Sequence, residues 1–453
     1  MNSIKSFILL ALFSGLLVSC SNTKNNNQKA LNDEELLNLV QHKTFNYFWE
    51  GSENNSGMAR ERIHMDEVYP ENDKDVVTSG GSGFGVMAIL VGIERNFITR
   101  DEGIERLNKI VSFLEKADTF HGLFPHWWYG NTGKAKGFSD KDNGGDVVET
   151  AFMMQGLLTA HQYLINGNNT EKALAERINK LWSEANWDWY RNGKDVLFWH
   201  WSPQHEFGMN HPIRGFDECI IAYILAVSSP TYPVPTETYH KGWARNGEIL
   251  GQHTIEEYPI GINYNNKFGI GPLFWIHYSF LGLDPRELSD KYSENYFAEF
   301  KNYTLINRAY CIRNPKGYKG YGSDSWGLTA SYSVNGYNAH APNEEQDLGV
   351  IAPTAALSSI VYTPDESMDV MRYLYSKRDT LLGTFGFYDA YSESENWYPK
   401  RYLAIDQGPI VVMIENYRSQ LLWNLFMSHP DIQKGLKLLG FNSPHLNQTR
   451  FIK

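Results

Sequence analysis

An all-α fold, an (α/α)6 barrel of six helical hairpins closed into a double ring, is predicted by three observations. Apolar, small-residue-rich segments begin near Ser82, Asp146, Asp217, Gly271, Gly349 and Gly408. Each follows, across a long loop, a more charged and amphipathic segment, at 33–49, 100–116, 170–185, 236–245, 287–308 and 364–377. The apolar starts lie 54 to 78 residues apart, too irregular for a solenoid of copied units, and no β–α alternation supports a parallel sheet. A helix apolar all round belongs inside and an amphipathic one covers it. Six such pairs close on themselves as one domain over residues 31–453.

Residues 1–20 stand outside that fold as a lipoprotein signal peptide. Lys5 supplies the positive end, residues 7–18 the apolar core, and Leu17-Val18-Ser19-Cys20 resembles a bacterial lipobox with Cys20 as the lipidated residue. Residues 21–30 are polar and Asn-rich, as a flexible tether should be. No acidic cluster follows Cys20, which favours a periplasm-facing anchor. The only membrane contact expected is through that lipid.

Leu36, Leu37, Val40, Phe45 and Phe48 recur at helical spacing and make 33–49 the first covering helix. After a polar loop, Thr78-Ser79-Gly80-Gly81-Ser82-Gly83-Phe84-Gly85 opens the first inner segment. It lacks the Lys-Ser/Thr pair of a phosphate cradle, so close helix packing is expected of its glycines. The second inner segment opens on Asp142-Asn143-Gly144-Gly145-Asp146-Val147-Val148-Glu149. On a helix starting near Asp146, Asp146 and Glu149 are first-turn neighbours, and the two glycines let Asp142 fold back beside them. Asp146-x-x-Glu149 also reads as a capping box, a purely structural use of the same acids. Asp142 has no capping job, and His126-Trp127-Trp128-Tyr129 crowds the preceding loop.

The loops before the inner segments hold the unusual residues and would gather at one face. They carry Trp127, Trp201, Phe207, Tyr264, Trp326 and Trp397 as aromatic walls, with His126, His205, Asn210, Arg214, Gln346 and Asp406 as polar anchors. Loops this long inside a compact domain are usually functional. Aromatics make up 14% of the chain, with 13 Trp and 27 Tyr, a surplus that suits stacking on the C–H faces of sugars. The net charge of −11 and the absence of a basic run exclude nucleic acid and acidic polymers as partners and leave a neutral oligosaccharide or polysaccharide.

Cleaving a glycosidic bond takes one carboxylic acid that keeps its proton and one base or nucleophile. Asp146 and Glu149 sit where a helix dipole favours the ionised form. Glu218, among Phe216, Cys219, Ile220 and Ile221, has the apolar setting of the acid, while Asp217 can do the capping. First-turn helix stabilisation is the structural alternative for Glu218. His200, His205, His211 and His340 form no H-E-x-x-H pattern, and sugar-binding histidines are expected rather than a metal. Cys219 and Cys311 fit neither a disulfide framework nor a metal motif and should be buried.

Several of these motifs together resemble glycoside hydrolase family 144. They are Ser79 to Gly85, Gly122-Leu123-Phe124-Pro125-His126-Trp127, Gly145 to Thr150, Phe216-Asp217-Glu218, Gly269 to Phe274 and Asp406-Gln407-Gly408-Pro409. The resemblance covers residues 31–443. It implies the barrel, an inverting mechanism on β-1,2-glucans, and no required metal or organic cofactor. The matching acids are Glu218, Asp142, Asp146 and Glu149; Glu218 matches the acid, and Asp142 and Asp146 share the role of base. Exo action releasing sophorose is expected, with loop 51–77 and its Arg60 and Arg62 blocking one end of the cleft. The alternatives are an endo-β-1,2-glucanase, a lyase on the same ring, and a non-catalytic carbohydrate-binding lipoprotein.

Overall fold

The computed structural model describes residues 31–70 and 73–446. The expected signal peptide, Cys20 and the tether lie outside the described residues. The structure is helix-rich, with short strands confined to the loops.

The inner set starts with α2 (Ser79–Glu94), α4 (Val147–Leu164) and α6 (Ile220–Ser228) and ends with α8 (Pro353–Leu357) and α11 (Ala404–Ser419). Every residue of α6 is buried, as is α2 from Ser79 to Ile93. The covering set comprises α1 (Asp33–Trp49), α3 (Arg100–Leu114), α5 (Asn169–Glu184), α7 (Tyr296–Arg313) and α9 (Pro364–Ser376). The short α10 (Arg378–Leu381) follows α9, and α12 (Leu421–Met427) and α13 (Pro430–Leu438) complete the chain. In α3, Ile104, Leu107, Ile110, Val111 and Leu114 face inward at helical spacing, which fixes which side of that helix meets α2.

Around the centre, α2 packs between α4 and α11, α4 packs on α6, and α8 packs on α11. The glycines of α2 work as close-packing residues. A methyl group at Gly83 would lie 2.3 Å from the Phe152 carbonyl oxygen, and one at Gly156 would lie 2.1 Å from that of Gly83. Any side chain at either position therefore forces α2 and α4 apart.

Two inner segments depart from the sequence expectation. The one opening at Gly271 is not an α-helix but two 3-10 turns, Leu273–Ile276 and Tyr278–Phe280. Its bulky aromatics, Phe274, Trp275, Tyr278 and Phe280, favour helix weakly. The segment near Gly349 gives only the five residues of α8. There Ser359 Oγ donates to the Ala355 carbonyl, the local side-chain bonding that competes with helix, and Thr354 Oγ1 donates across to the Asp406 carbonyl on α11. Both still occupy inner positions: Tyr362 donates its hydroxyl to Ile276 O, and His277 Nε2 meets Ser359 Oγ, each at 2.9 Å. Of the covering segments, 236–245 forms one π-helical turn, Thr238–Trp243, and the expected 287–308 helix starts later, at Tyr296.

The loops entering the inner segments are sewn together in a circuit. Strand Arg62–His64 pairs with Arg401–Leu403, Val76–Thr78 with Trp127–Tyr129, and Gly145–Asp146 with His200–Trp201. Phe216 bridges to Tyr264, Asn266 bonds Gln346 at 2.8 Å, and Ile351 bridges to Tyr391. Each link joins one loop to the next, and the pairing of 62–64 with 401–403 returns the last to the first.

Candidate active site

Asp146 ends a two-residue strand and caps α4. Its Oδ1 accepts from the backbone N–H of Val148 and Glu149, both at 2.9 Å. Only half of the capping box forms. Glu149 does not reach back; its Oε2 accepts instead from Gly80 N–H at 2.7 Å, at the start of α2. The second Asp146 oxygen, Oδ2, is buried and faces two imidazoles, His126 Nδ1 at 3.3 Å and His200 Nε2 at 3.7 Å.

Local geometry explains the convergence. The strand pair sets Asp146 opposite His200, and Asp146 N–H donates to Phe124 O, drawing in the loop that carries His126. Asp142 is folded back by a tight turn before it, in which Phe138 N–H donates to Asp142 O at 2.8 Å, rather than by the glycine pair, which instead lets the chain pass close to Trp201 and Tyr190. Asp142 Oδ2 lies 3.3 Å from His200 Nε2 and 3.9 Å from His126 Nδ1, and His126 Nε2 lies 3.8 Å from Glu149 Oε1.

The electrostatics divide these acids. Burial works against the His126 cation, but Glu149, Asp146 and Asp142 outweigh it and push the imidazole up to about 10. Burial likewise opposes the Asp146 anion, yet its contacts with His126 and His200 hold it below the usual carboxylate range. Glu149 is raised by burial to about 7, with His126 pulling down and Asp146 pushing up.

Glu218 enters from the mouth of α6. Asp217 makes the local turn, accepting from Cys219 N–H at 3.0 Å and from Asn265 Nδ2 at 2.8 Å, so Glu218 has no capping duty. Burial raises the Glu218 carboxyl well above its ordinary value, and the charges of Asp217, Glu149 and Asp146 raise it further. Those last two influences put Glu218 within electrostatic reach of the α4 acids, on the helix that packs against α4.

Asp406 is buried on α11, its Oδ1 facing the Tyr278 hydroxyl at 3.5 Å. Burial and the adjacent Asp389 raise it well above the carboxylate range, while burial takes Asp389 to about 6, so the two acids hold a proton between them at neutral pH. The Tyr278 phenol senses both Asp406 and Glu218. His126, Asp142 and Asp146 place donor atoms within 4.8 Å of one another, as do Asp217, Glu218 and Cys219; either set has the residue types to hold a cation.

The expected sugar-binding residues scatter. Trp127 is nearly buried between the Arg62 guanidinium and the Lys136 ammonium, 5.8 and 4.9 Å from its ring centre. Trp201 meets His121 and Trp189 edge-on, and Phe207 packs on Phe198. His205 is exposed and pairs with Asp140 at 3.3 Å, Asn210 is exposed with φ of 47°, and Trp397 is partly buried in a turn closed on Ser392. Gln346 accepts from Asn266 and Asn343 at 2.8 and 2.7 Å.

Three expectations are corrected. Trp326 is fully buried in the core and presents no face to a ligand. Tyr264 is buried with its hydroxyl spent on Glu299 at 3.0 Å, so it braces a loop. Arg214 turns its guanidinium to the Lys241 carbonyl, toward a covering segment. Loop aromatics and arginines look alike in sequence whether they face a cleft or a core. Conversely, the sequence did not single out Asp389 or Phe138, and it named His200 only as one loop histidine among four. Only the Gly145-Asp146 strand pairing exposes His200's role.

The Glycoamylase family model matches residues 210–430. A curated relative from Parabacteroides distasonis, an exo beta-1,2-glucooligosaccharide sophorohydrolase (non-reducing end), is 48% identical over 425 residues, 90% of this chain and 58% of that protein. The chain thus spans little more than half the length of that relative. The structure of a beta-1,2-glucanase from the same organism matches with TM-score 0.85 at 45% identity, over 91% of this chain and 60% of that one. An endo-beta-1,2-glucanase from Chitinophaga pinensis, solved with sophorotriose and glucose, matches with TM-score 0.90 at 61% identity, over 92% of this chain and 100% of that one. Shared from end to end with the last of these at such identity, the chain belongs to the glucoamylase-like family that includes these β-1,2-glucanases.

Proposed function

We propose that the protein is an inverting glycoside hydrolase of family 144 type that cleaves β-1,2-glucosidic bonds on an (α/α)6 barrel. The closed circuit of six loops and the buried helices it leads into support the barrel. The observation that carries the chemistry is the pairing of a raised Glu218 carboxyl with a depressed Asp146 at the mouths of two inner helices that pack together.

Glu218 gives its proton to the glycosidic oxygen as the bond from that oxygen to the anomeric carbon breaks. A water on the opposite face forms the new bond to that carbon and gives up its proton to Asp146 or Asp142. Glu149 and His126 hold the sugar hydroxyls and fix the charge of the aspartates. Glu218 and the aspartates carry these proton transfers without a metal; chelation should leave turnover unchanged, and a loss restored by added divalent cation would assign the His126–Asp142–Asp146 set to a metal.

Exo action releasing sophorose is the primary reading, supported by the name of the curated relative and by Arg62, whose guanidinium lies 5.8 Å from the ring centre of Trp127, beside His126. Endo action is the second, favoured by the Chitinophaga pinensis enzyme, which this chain spans completely. Digestion of linear β-1,2-glucan with product sizing separates them. Sophorose from the first minutes with viscosity retained supports exo action; an early viscosity drop supports endo action. Anomer analysis of the first product tests inversion, and no cleavage of β-1,2-gluco-oligosaccharides would end the hydrolase reading. A sugar-binding lipoprotein would bind the same oligosaccharides without cleaving them.

Cys20 is proposed as a lipid anchor holding the enzyme in the periplasm, on the strength of the Leu17-Val18-Ser19-Cys20 motif. Incorporation of labelled palmitate by the wild type and its loss in Cys20→Ser would test it.

A further inference from the structure

Phe138 sits in a polar loop and is 55% exposed. A lone exposed phenylalanine needs no special explanation. This one is different in where its ring is held. One face stacks on His126, with ring centres 4.6 Å apart and planes 28° apart, and Trp127 meets it at 4.9 Å. His126 is the imidazole that touches Asp146, Asp142 and Glu149. The backbone of Phe138 belongs to the same turn as Asp142, and that turn is tied to the next loop by Asn143 Nδ2 donating to Gln204 Oε1 at 2.9 Å and by the His205–Asp140 pair. The ring is thus fixed from behind while its remaining surface stays open beside the acids.

We propose that Phe138 is a sugar-stacking platform, a specificity-determining residue that sets a glucosyl ring against the His126–Asp142–Asp146–Glu149 cluster. The proposal rests on the carbohydrate reading above. The C–H face of a β-glucosyl unit has the flatness and polarity to lie on an aromatic ring, and its rim of hydroxyls then reaches toward Asp142 Oδ1 and Asp146 Oδ2, buried oxygens that accept no hydrogen bond from the described residues. The competing role is an apolar cover that only shields His126.

Phe138→Ala, Phe138→Leu and Phe138→Trp separate the two. Steady-state kinetics on β-1,2-gluco-oligosaccharides should show KM raised about five- to ten-fold in F138A and F138L, with kcat less affected, and near the wild-type value in F138W. Calorimetric binding of the same oligosaccharides to Glu218→Gln, with and without F138A, should weaken in parallel. Wild-type KM in F138L would overturn the platform in favour of a cover, and unchanged binding in F138A would overturn it outright. If the wild type cleaves nothing, the hydrolase reading fails, while the binding arm still decides the platform.

Discussion

The mouths of α4 and α6 each carry an aspartate and a glutamate, and one acid from each is kept in the opposite state to the other. At α4, Asp146 faces two imidazoles and ionises; at α6, Glu218 has burial and like charges around it and keeps its proton. The difference is made by partners, since both sites are desolvated. Histidine supplies the compensating charge at Asp146, whereas the cation near the other mouth, Arg245, acts on Asp217, which leaves one donor and one acceptor of protons at a single pH.

Removing the donor should have the largest effect. Glu218→Gln is expected to lower kcat about 10³-fold while calorimetry still shows oligosaccharide binding. A variant with turnover within about ten-fold of wild type would move the acid role to the Asp389–Asp406 pair.

Removing the compensating cation comes next. His126 is raised from 6.5 to about 10, so its stabilising contribution is fully present below pH 6.5 and is lost as pH rises through 10. Wild-type Tm should fall across that window more than the Tm of His126→Asn, and the variant should also lose turnover. Equal slopes would show that the imidazole is not charged in the fold.

Glu149 gives a smaller effect of defined sign. Its carboxyl is raised from 4.5 to about 7, so the folded state favours the protonated form and loses stability as pH climbs through that interval. Glu149→Gln should melt higher than wild type at pH 8 and no higher at pH 4, at the cost of activity. The smallest change lies on the covering helices. Asn168 closes a full capping box with Glu171 on α5, and Asn168→Ala should cost about 1 kcal/mol in denaturant titrations with kcat unchanged.

Three helices of that covering layer, α1, α3 and α5, were the most legible part of the chain. Amphipathic spacing and the boxes at Asn32–Glu35, Thr99–Glu102 and Asn168–Glu171 are local signals, and each helix begins where they put it. The grouping of Asp142, Asp146 and Glu149 was legible because only seven residues separate them, though the turn that folds Asp142 back precedes it instead of using the glycine pair. Segment 271–282 misled because aromatic burial looks the same in a helix and in successive tight turns. Trp326 and Tyr264 misled because residue type does not say which way a loop side chain points. The approach of His200 to Asp146 and of Asp389 to Asp406 comes from pairing between distant loops, and no short window of sequence contains it.

The division of charge between the two mouths can be measured directly. Infrared difference spectra of wild type against Glu218→Gln, and of wild type against Asp146→Asn, should show at pH 7 a protonated carboxyl lost from the first pair and a carboxylate lost from the second. A carboxylate signal missing from Glu218→Gln at that pH would contradict the account.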